Sequence, residues 1–503
     1  MFLKIQKHEK YAFIAAIITA FVAYGYRITN NFLTYDSMWN LYSDQNMISS
    51  GRQFLMYACK ISSDYNLPWL NGLLAFFYLA LTSIVLVRLF DIKSNAAAAL
   101  VGAVVASFPS VSNVFAYAFT VDGYMLAVLL ATVAVYLASK YKFGFIPAAV
   151  LVCFSTGIYQ AYFAYAMVLI IAVVLLDVIW EDDFKKILFG ILRYGITVVG
   201  GYALYLISLK IMLSVQGESL SGYQGSDKVI SGASIDIIAG IKTAYRSFKE
   251  FAMYQNVLTT TWPMKIAFVG IALLCAFGVI YAFVGKKRYK GWYRIVLCVL
   301  LAAVTPVCAT IFAVLSPETF IHNLIRIPWV VFFILAIVIG EKAFTEVKWH
   351  KCLVNTGCVL MVVLVFQFAL VSNIVGFNMN ERYEKTYAMC VRIIDKLENQ
   401  EGYRHGMKVA ILGGFPTEES YPSTDITRVD LSGYFGVSDD LCVNSTEKYA
   451  EFMKHYLDVT ITTISEQEEI AITETEEYKD MECFPYAGSI KLIGDVWVIK
   501  LNG

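Results

Sequence analysis

Long apolar runs constrain this chain more than any other feature. A helix needs about 20 mostly apolar residues to cross a bilayer, and about eleven runs meet that requirement. Composition agrees, because 58% of the 503 residues are hydrophobic and only 16% are charged, which excludes a soluble protein of this length. We therefore predict an α-helical polytopic membrane protein. The runs lie near residues 11–28, 69–89, 95–111, 121–139, 144–157, 159–179, 188–213, 264–284, 295–315, 323–341 and 352–375.

Lysine and arginine collect in alternate loops between these runs. Lys4, Lys7 and Lys10 precede the first run, and a cluster at 286–294 follows the eighth. Basic residues in short loops mark the cytoplasmic side of a membrane. The pattern predicts a cytoplasmic N-terminus, with the first run retained as a helix. The poorly basic loops, 29–68 among them, then face outward.

The tail from residue 377 has a different composition. It holds 12 Lys+Arg against 23 Asp+Glu, whereas residues 1–376 hold 28 against 17. Its pattern predicts helices at 380–399 and 447–456, strands at 408–412 and 459–463, and a hairpin at 489–501 that turns at 494–495. We expect a transmembrane domain over 1–376 and a small extracytoplasmic α/β domain over 377–503. A disulfide between Cys442 and Cys483 in this tail is left open.

The outward loop 29–68 is the predicted active-site loop, and Asp36 is its first candidate catalytic residue. Glycosyl transfer by direct displacement needs a carboxylate that takes the proton from the acceptor hydroxyl. An equal alternative is that Asp36, or Thr34, caps a short helix beginning at Ser37. The two roles are compatible.

Asp44 and Arg52 are a further candidate catalytic carboxylate and a candidate substrate-binding cation in the same loop. A salt bridge between them would need a bend at 49–51. They form either an ion pair at the membrane interface or a contact to substrate.

Two other outward segments contain polar groups. Asp122 and Tyr124 stand at the head of the fourth run, where an acidic residue must be paired or hydrated, and Asp122 is the third candidate catalytic residue. Residues 155–157 interrupt apolar sequence just before Tyr159 and Gln160. Irregular backbone at membrane depth lines either protein or a water-filled cavity, so this break is a cavity wall or a plain tight turn.

The third outward segment begins at Pro317, which suits the first turn of a helix. Glu318, His322 and Arg326 would then share one face. Arginine donors directed to one side suit a phosphate. Glu318 with His322 could instead hold a divalent metal, although two ligands make a weak site, and an ion-pair stripe without substrate is a third interpretation. No cofactor is firmly predicted.

Together these segments resemble the glucosyl transferase II family of bacterial polytopic membrane glucosyltransferases. The resemblance implies a GT-C type glycosyltransferase that moves a hexose, expected to be glucose, from a polyprenyl-phosphate donor. The acceptor would be a cell-surface glycan such as O-antigen or teichoic acid, at the outer face of the bacterial cytoplasmic (inner) membrane. The segments that carry the resemblance are 35–36 through 51–52, 121–124, 157–160, 325–328 and 380–383.

The resemblance also implies roles for single residues. Asp36 would be the base, Arg326 would stabilise the departing lipid phosphate, and Asp122, Tyr159 and Gln160 would position sugar hydroxyls. Arg52, Tyr124, Glu318 and His322 complete the predicted substrate-binding set. The expected partners are the lipid-linked donor, the glycan acceptor and membrane lipid, and no nucleic acid. A transporter or flippase of lipid-linked glycans is the alternative, and a binding scaffold is a third possibility.

Overall fold

The computed structural model describes residues 5–502 apart from 31, 35, 223–235, 254–256, 259, 286, 289–290, 316–320, 345–349 and 415–440. Within these residues the chain is mostly helical and forms two compact units. One unit takes Tyr42–Asn373 together with the first helix. The other takes the tail from Ile374 together with Asn31–Leu41.

The first unit is a bundle of apolar helices. Its helices are α1 Lys7–Ile28, α2 Leu55–Cys59, α3 Pro68–Phe90, α4 Asn95–Ser107, α5 Pro109–Val114, α6 Val121–Lys140, α7 Phe145–Ile158, α8 Ala161–Trp180, α9 Phe184–Gln216, α10 Ile237–Ala252, α11 Trp262–Gly285, α12 Trp292–Ala309, α13 Ile311–Leu315 and α14 Val330–Ala343. Short 3₁₀ helices cover Ser37–Asn40, Ile48–Ser50 and Asn323–Trp329.

Ten helices among the described residues are long and apolar enough to cross a membrane. The predicted fifth span is α7, an apolar helix of 14 residues that falls short of that length. The predicted last span, 352–375, and the predicted tail helix, 380–399, are one continuous helix of 49 residues, α15 His350–Glu398. Gly376 lies at the junction between them, but a single glycine inside a helix costs only about 1 kcal/mol and does not end it.

Small residues allow the helices of the first unit to pack closely. Ala12, Ala16 and Ala20 line one face of α1 and are fully buried. A Cβ atom at Gly102 of α4 would lie only 2.1 Å from the carbonyl oxygen of Ala12, so only glycine fits there. Close backbone approach at small residues is the usual way in which membrane helices associate.

A partly buried ion pair joins α1 to α3. The guanidinium of Arg88 donates to both carboxylate oxygens of Glu9, at 2.7 and 2.9 Å. At the other end of α1, buried Arg27 donates to the backbone carbonyls of Ser112 and Ser372. These contacts hold both ends of α1 against its neighbours, and Glu9, which is buried, has its charge balanced by Arg88.

The second unit contains a small three-stranded sheet. Its strands are β1 Lys408–Leu412, β2 Ile490–Ile493 and β3 Val496–Lys500, in the order β1-β3-β2, and its remaining helices are α16 Thr446–Leu457, α17 Glu466–Thr473 and α18 Glu476–Lys479. β1 pairs parallel to β3, with Lys408 opposite Val496, and β2 and β3 form the predicted hairpin. The predicted strand at 459–463 is wrong, because among these residues only Thr462 forms an isolated bridge, to Lys408.

The core of the second unit includes the segment that follows α1. Leu33 and Met38 pack in one hydrophobic cluster with Phe452, Trp497 and Ile499. The thiol of Cys442 donates to the backbone carbonyl of Leu33 at 3.3 Å. Cys442 and Cys483 are free thiols, so no disulfide joins them in the structure.

Candidate active site

A turn between α7 and α8 and a tyrosine on α9 hold the loop that carries Arg52. Gln160 donates from Nε2 to the Ser50 carbonyl at 2.7 Å, and the Tyr205 hydroxyl donates to the Gly51 carbonyl at 3.0 Å. Gly51 has a φ of +76°. A Cβ there would lie 2.6 Å from Nε2 of Gln160, so glycine satisfies both the backbone angle and the space.

Arg52 follows this glycine and lies against an aromatic wall. Its Nη1 lies 3.3 Å from the hydroxyl of Tyr124, and its guanidinium carbon is 4.8 Å from the centre of the Tyr159 ring. The rings of Tyr124 and Tyr159 stack at 4.7 Å, and the buried ring of Tyr162 packs edge-on against both. A guanidinium can stack on an aromatic face and donate hydrogen bonds in its own plane at the same time.

Arg326 is the second arginine of the site and lies on the 3₁₀ helix Asn323–Trp329. The side chain is buried, its Nη2 donates to the Ser247 hydroxyl at 3.3 Å, and its guanidinium lies 5.1 Å from the centre of the Phe251 ring. Glu250 is close enough to interact with it electrostatically. A buried guanidinium in contact with a neutral hydroxyl and an aromatic ring suits a bound anion.

His322 is near both arginines. Burial and the positive charges of Arg52 and Arg326 lower the pKa of His322 to about 3. The imidazole is therefore neutral throughout the physiological range, where one ring nitrogen donates a hydrogen bond and the other accepts one. Because both guanidiniums act on one side chain, Arg52, His322 and Arg326 form one cluster, which we call the cationic cluster.

The helix at this segment starts later than the sequence suggests. His322 has extended backbone angles and caps a 3₁₀ helix, Asn323–Trp329, that contains Pro328. Proline lacks the N–H needed for an α-helical hydrogen bond, which favours the tighter geometry. The predicted i, i+4, i+8 face is therefore not formed by His322 and Arg326. Glu318 and Pro317 lie outside the described residues.

Asp122 is close in sequence to Tyr124 but faces other groups. Its carboxylate is 1% exposed, and among the described residues neither oxygen has a hydrogen-bond partner of good geometry. It interacts electrostatically with Cys59 of α2 and Tyr78 of α3, and the Ser62 hydroxyl and the Gly123 amide are close enough to stabilise it. Such burial favours a role in positioning over direct contact with water or substrate.

Asp36 belongs to the second unit. It stands at the N-cap of the 3₁₀ helix Ser37–Asn40, which begins where the sequence predicts, but its carboxylate makes no capping hydrogen bond. Its backbone carbonyl accepts a hydrogen bond from the Asn40 amide at 2.8 Å, and Thr34 and Ser37 bond to each other through their hydroxyls at 3.1 Å. The half-buried carboxylate of Asp36 therefore does not cap this 3₁₀ helix.

Asp44 is an exposed turn residue. Its carboxylate accepts from the backbone N–H of Asn46 at 3.0 Å, and no ion pair between Asp44 and Arg52 occurs. The bend at Gly51 exists, but Arg52 bridges by its backbone to Met47 and directs its guanidinium to the tyrosines instead. The side chains of Asp44 and Arg52 therefore have different partners in the structure.

Sequence reasoning missed the residues that hold the Arg52 loop and the Arg326 side chain in position. Tyr205 lies on α9, Gln53 donates to the Tyr205 carbonyl at 3.2 Å and to the Ser208 hydroxyl at 3.1 Å, and Ser247 lies on α10. Tyr205, Ser208 and Leu209 fall on one face of α9 by helical spacing. That spacing was the only signal available, because a long apolar helix does not reveal which of its tyrosines faces a loop.

The geometry suits recognition of an anion. The charges of two guanidiniums act on one neutral imidazole, and each guanidinium lies against an aromatic ring. Within the described ranges, no three His, Cys, Asp or Glu side chains are grouped so that they could hold a metal ion. Phosphate is the anion that planar arginine donors match best.

One comparison with known proteins gives a match. The sequence model of the family described as glucosyl transferase GtrII matches residues 25–339. This range contains the rings of Tyr124, Tyr159 and Tyr162 and the cationic cluster. No curated protein and no solved structure gives a significant match to the chain.

Proposed function

Since the chain belongs to the glucosyl transferase GtrII family, we propose that it is a GT-C type membrane enzyme that transfers a hexose from a polyprenyl-phosphate donor to a cell-surface glycan. We propose glucose as the sugar and the outer face of the membrane as the place of transfer. The glycan would be O-antigen, teichoic acid or a similar polymer.

The observation that carries the proposal is a pair of guanidiniums, Arg52 against the Tyr159 ring and Arg326 against the Phe251 ring, whose charges both act on His322. In the reaction the bond between the sugar C1 and the phosphate oxygen breaks, and the lipid phosphate leaves with an added negative charge. Arginine donors directed at that phosphate stabilise the charge as it develops. His322 donates or accepts one hydrogen bond without adding positive charge.

The other half of the reaction needs a base. A new bond forms between C1 and the acceptor oxygen, and the proton of that hydroxyl passes to a carboxylate. The sequence assigns this role to Asp36, and Asp36 remains a prediction that substitution must test. Asp122 would hold neighbouring side chains of the site in position. Tyr159 and Gln160 would line the site beside the sugar.

The decisive experiment measures transfer of radiolabelled glucose from synthetic polyprenyl-phosphate glucose to cell-surface glycan, in membranes that contain the full chain. We expect transfer by the wild type and its loss in Asp36→Asn and Arg326→Gln. Lys491→Gln, an exposed substitution in the tail, is the control for expression and handling. Absence of transfer by the wild type with every lipid-linked sugar and acceptor tried would favour the transporter alternative.

A further inference from the structure

A polar cavity lies in the first unit where α1 begins and α3 and α6 end. It has a volume of about 320 Å³. These three helices are long and apolar enough to span a membrane, so a cavity at their ends lies at a membrane surface. The sequence predicts this surface to be the cytoplasmic one. The lining includes His8 and Glu9 of α1, Arg88 of α3, Asp91 and Lys93 of the link to α4, and Lys140 of α6.

Both carboxylates of the lining are paired with cations of the lining. The oxygens of Glu9 accept hydrogen bonds from Arg88 at 2.7 and 2.9 Å, and one of them also accepts from the backbone N–H of Gln6 at 2.8 Å. Asp91 forms an ion pair with Lys93. Neither carboxylate is therefore left to repel an anion that enters the cavity.

Positive charge remains in the cavity after this pairing. Lys140 is exposed at the end of α6 and forms no ion pair with a described residue, although Asp177 of α8 interacts with it electrostatically. Arg88 uses Nε and Nη2 for Glu9, and its Nη1 has no hydrogen bond to the described part of the chain. The lining holds three cationic and two anionic side chains, which gives a net charge of +1 with His8 neutral.

This charge selects the kind of anion. A phosphodiester carries one negative charge, which balances the lining, whereas a phosphate monoester carries about −1.5 to −2 at pH 7 and exceeds it. Lysine and arginine both bind phosphate oxygens. Basic pockets between membrane helices on the cytoplasmic side bind the head groups of anionic lipids.

An apolar surface continues from the cavity along α1. Tyr11, Ile14 and Ile18 are 46%, 54% and 57% exposed. Their spacing puts them on one face of the helix, and His8 of the cavity precedes Tyr11 by three residues on that face. A soluble anion would gain nothing from such a surface, but the hydrocarbon chains of a lipid would pack against it.

We propose that this cavity binds the phosphodiester head group of an anionic phospholipid, with the acyl chains against the exposed face of α1. Lys140 and Nη1 of Arg88 contact the phosphate. A lipid held there joins the ends of three helices and stabilises the folded protein, as any ligand of the native state does. The inference goes beyond the proposed function, because no step of glucose transfer uses this cavity.

The test measures lipid binding to the purified full-length protein in a neutral detergent by native mass spectrometry. Dioleoyl phosphatidylglycerol is the anionic probe. Dioleoyl phosphatidylcholine has the same acyl chains, but its head group also carries a positive charge and is neutral overall. We expect the wild type to bind phosphatidylglycerol more tightly than phosphatidylcholine. Equal affinity for the two lipids would overturn the inference.

The test variants change the charge of the cavity at Lys140. Lys140→Gln should weaken the binding of phosphatidylglycerol about fivefold, the usual contribution of one lysine close to anionic lipid. Lys140→Glu should remove the preference for phosphatidylglycerol altogether. Lys142→Gln and Lys142→Glu are the matched controls, since Lys142 is an exposed lysine two residues further on and outside the cavity. Thermal unfolding in lipid-free detergent shows that the variants are folded.

Equal weakening in the Lys140 and Lys142 variants would overturn the inference, because the lipid would then respond to the basic surface in general. The last arm adds glycerophosphoglycerol, which is the same phosphodiester without acyl chains. We expect no displacement of phosphatidylglycerol at equal concentration, and full displacement would show a site for a soluble phosphate instead of a lipid. These measurements do not use glucose transfer, so their failure leaves the proposed function intact.

Discussion

At the scale of single residues, the arrangement of Arg52 depends on the shape of its side chain as well as its charge. The planar guanidinium lies over the Tyr159 ring and reaches the Tyr124 hydroxyl at the same time. Lysine carries the same charge as a compact ammonium group and cannot do both.

Arg52→Lys should therefore raise the KM for the lipid donor by about 10- to 100-fold, the usual worth of one charged hydrogen bond. Initial rates of glucose transfer at varied donor concentration measure it. Lys60→Arg, an exposed position beyond α2, is the control for basic exchange near this loop. An unchanged KM in Arg52→Lys would mean that Arg52 does not contact the donor.

His322 gives a pH prediction with a definite sign. Its pKa in the folded protein, about 3, lies below its ordinary value of 6.5. A histidine with a lowered pKa is neutral in the folded state, so its contribution to stability is present at neutral pH and is lost as the pH falls below about 6.5 toward 3.

Between pH 5.5 and pH 8, kcat/KM should show no inflection that disappears in His322→Gln, because neither side chain changes charge there. The pH profiles of the wild type and the variant, measured side by side, test this. An inflection near pH 6.5 that only the wild type shows would contradict a neutral His322.

At the scale of elements, two glycines share the left-handed backbone conformation but differ in their surroundings. Comparing them distinguishes the cost of backbone strain from the cost of steric contact. Gly51 and Gly217 have φ values of +76° and +68°. A Cβ at Gly51 would meet Gln160 and Tyr205 within 3 Å, whereas a Cβ at Gly217 meets nothing within 4 Å.

Gly217→Ala should lower the free energy of unfolding by about 1 kcal/mol through backbone strain alone. Gly51→Ala should add about 1–3 kcal/mol of crowding and reduce transfer, because the Arg52 loop must shift. Thermal unfolding in detergent and the transfer assay measure the two effects. Equal behaviour of both variants would show that the Gln160 and Tyr205 contacts do not position Arg52.

The elements also show what the sequence could predict. Apolar runs located most helices within a few residues, because length and hydropathy decide whether a segment can span a bilayer. The hairpin was predicted from Gly494, which the turn requires. The pairing of Gln160 with Ser50 and of Tyr205 with Gly51 joins residues 110 and 154 positions apart. Contacts at that separation depend on tertiary packing, which local patterns do not contain.

At the scale of the whole molecule, the sequence predicts that the N-terminus is cytoplasmic and that the tail is outside. The described residues contain ten helices of spanning length, and α7 is an eleventh, shorter apolar helix. With a cytoplasmic N-terminus, an odd number of crossings places the tail outside. Alkaline phosphatase fused after residue 503 should be active in intact cells, and the same enzyme fused after Phe90 should be inactive. The opposite pattern would invert the predicted orientation.

The core of the second unit gives a stability prediction for the full chain. Leu33 is 1% exposed in that core, whereas Leu492 on β2 is 47% exposed. Leu33→Ala should cost about 2–5 kcal/mol, as expected for a buried leucine, and Leu492→Ala less than about 0.5 kcal/mol. Denaturant unfolding of the two full-length variants, measured side by side, compares them. Similar losses in both variants would contradict the packing of Leu33 in that core.

The bond between the Cys442 thiol and the Leu33 carbonyl also has a consequence for synthesis of the protein. These residues are 409 positions apart in the chain. At about 5–20 residues per second, the ribosome needs roughly 20–80 s to reach Cys442 after it has made Leu33. The segment that carries Asp36 must therefore wait, with apolar side chains uncovered, until nearly all of the protein has been made. A chain stopped before the tail would contain every membrane helix but lack the partners that order this segment.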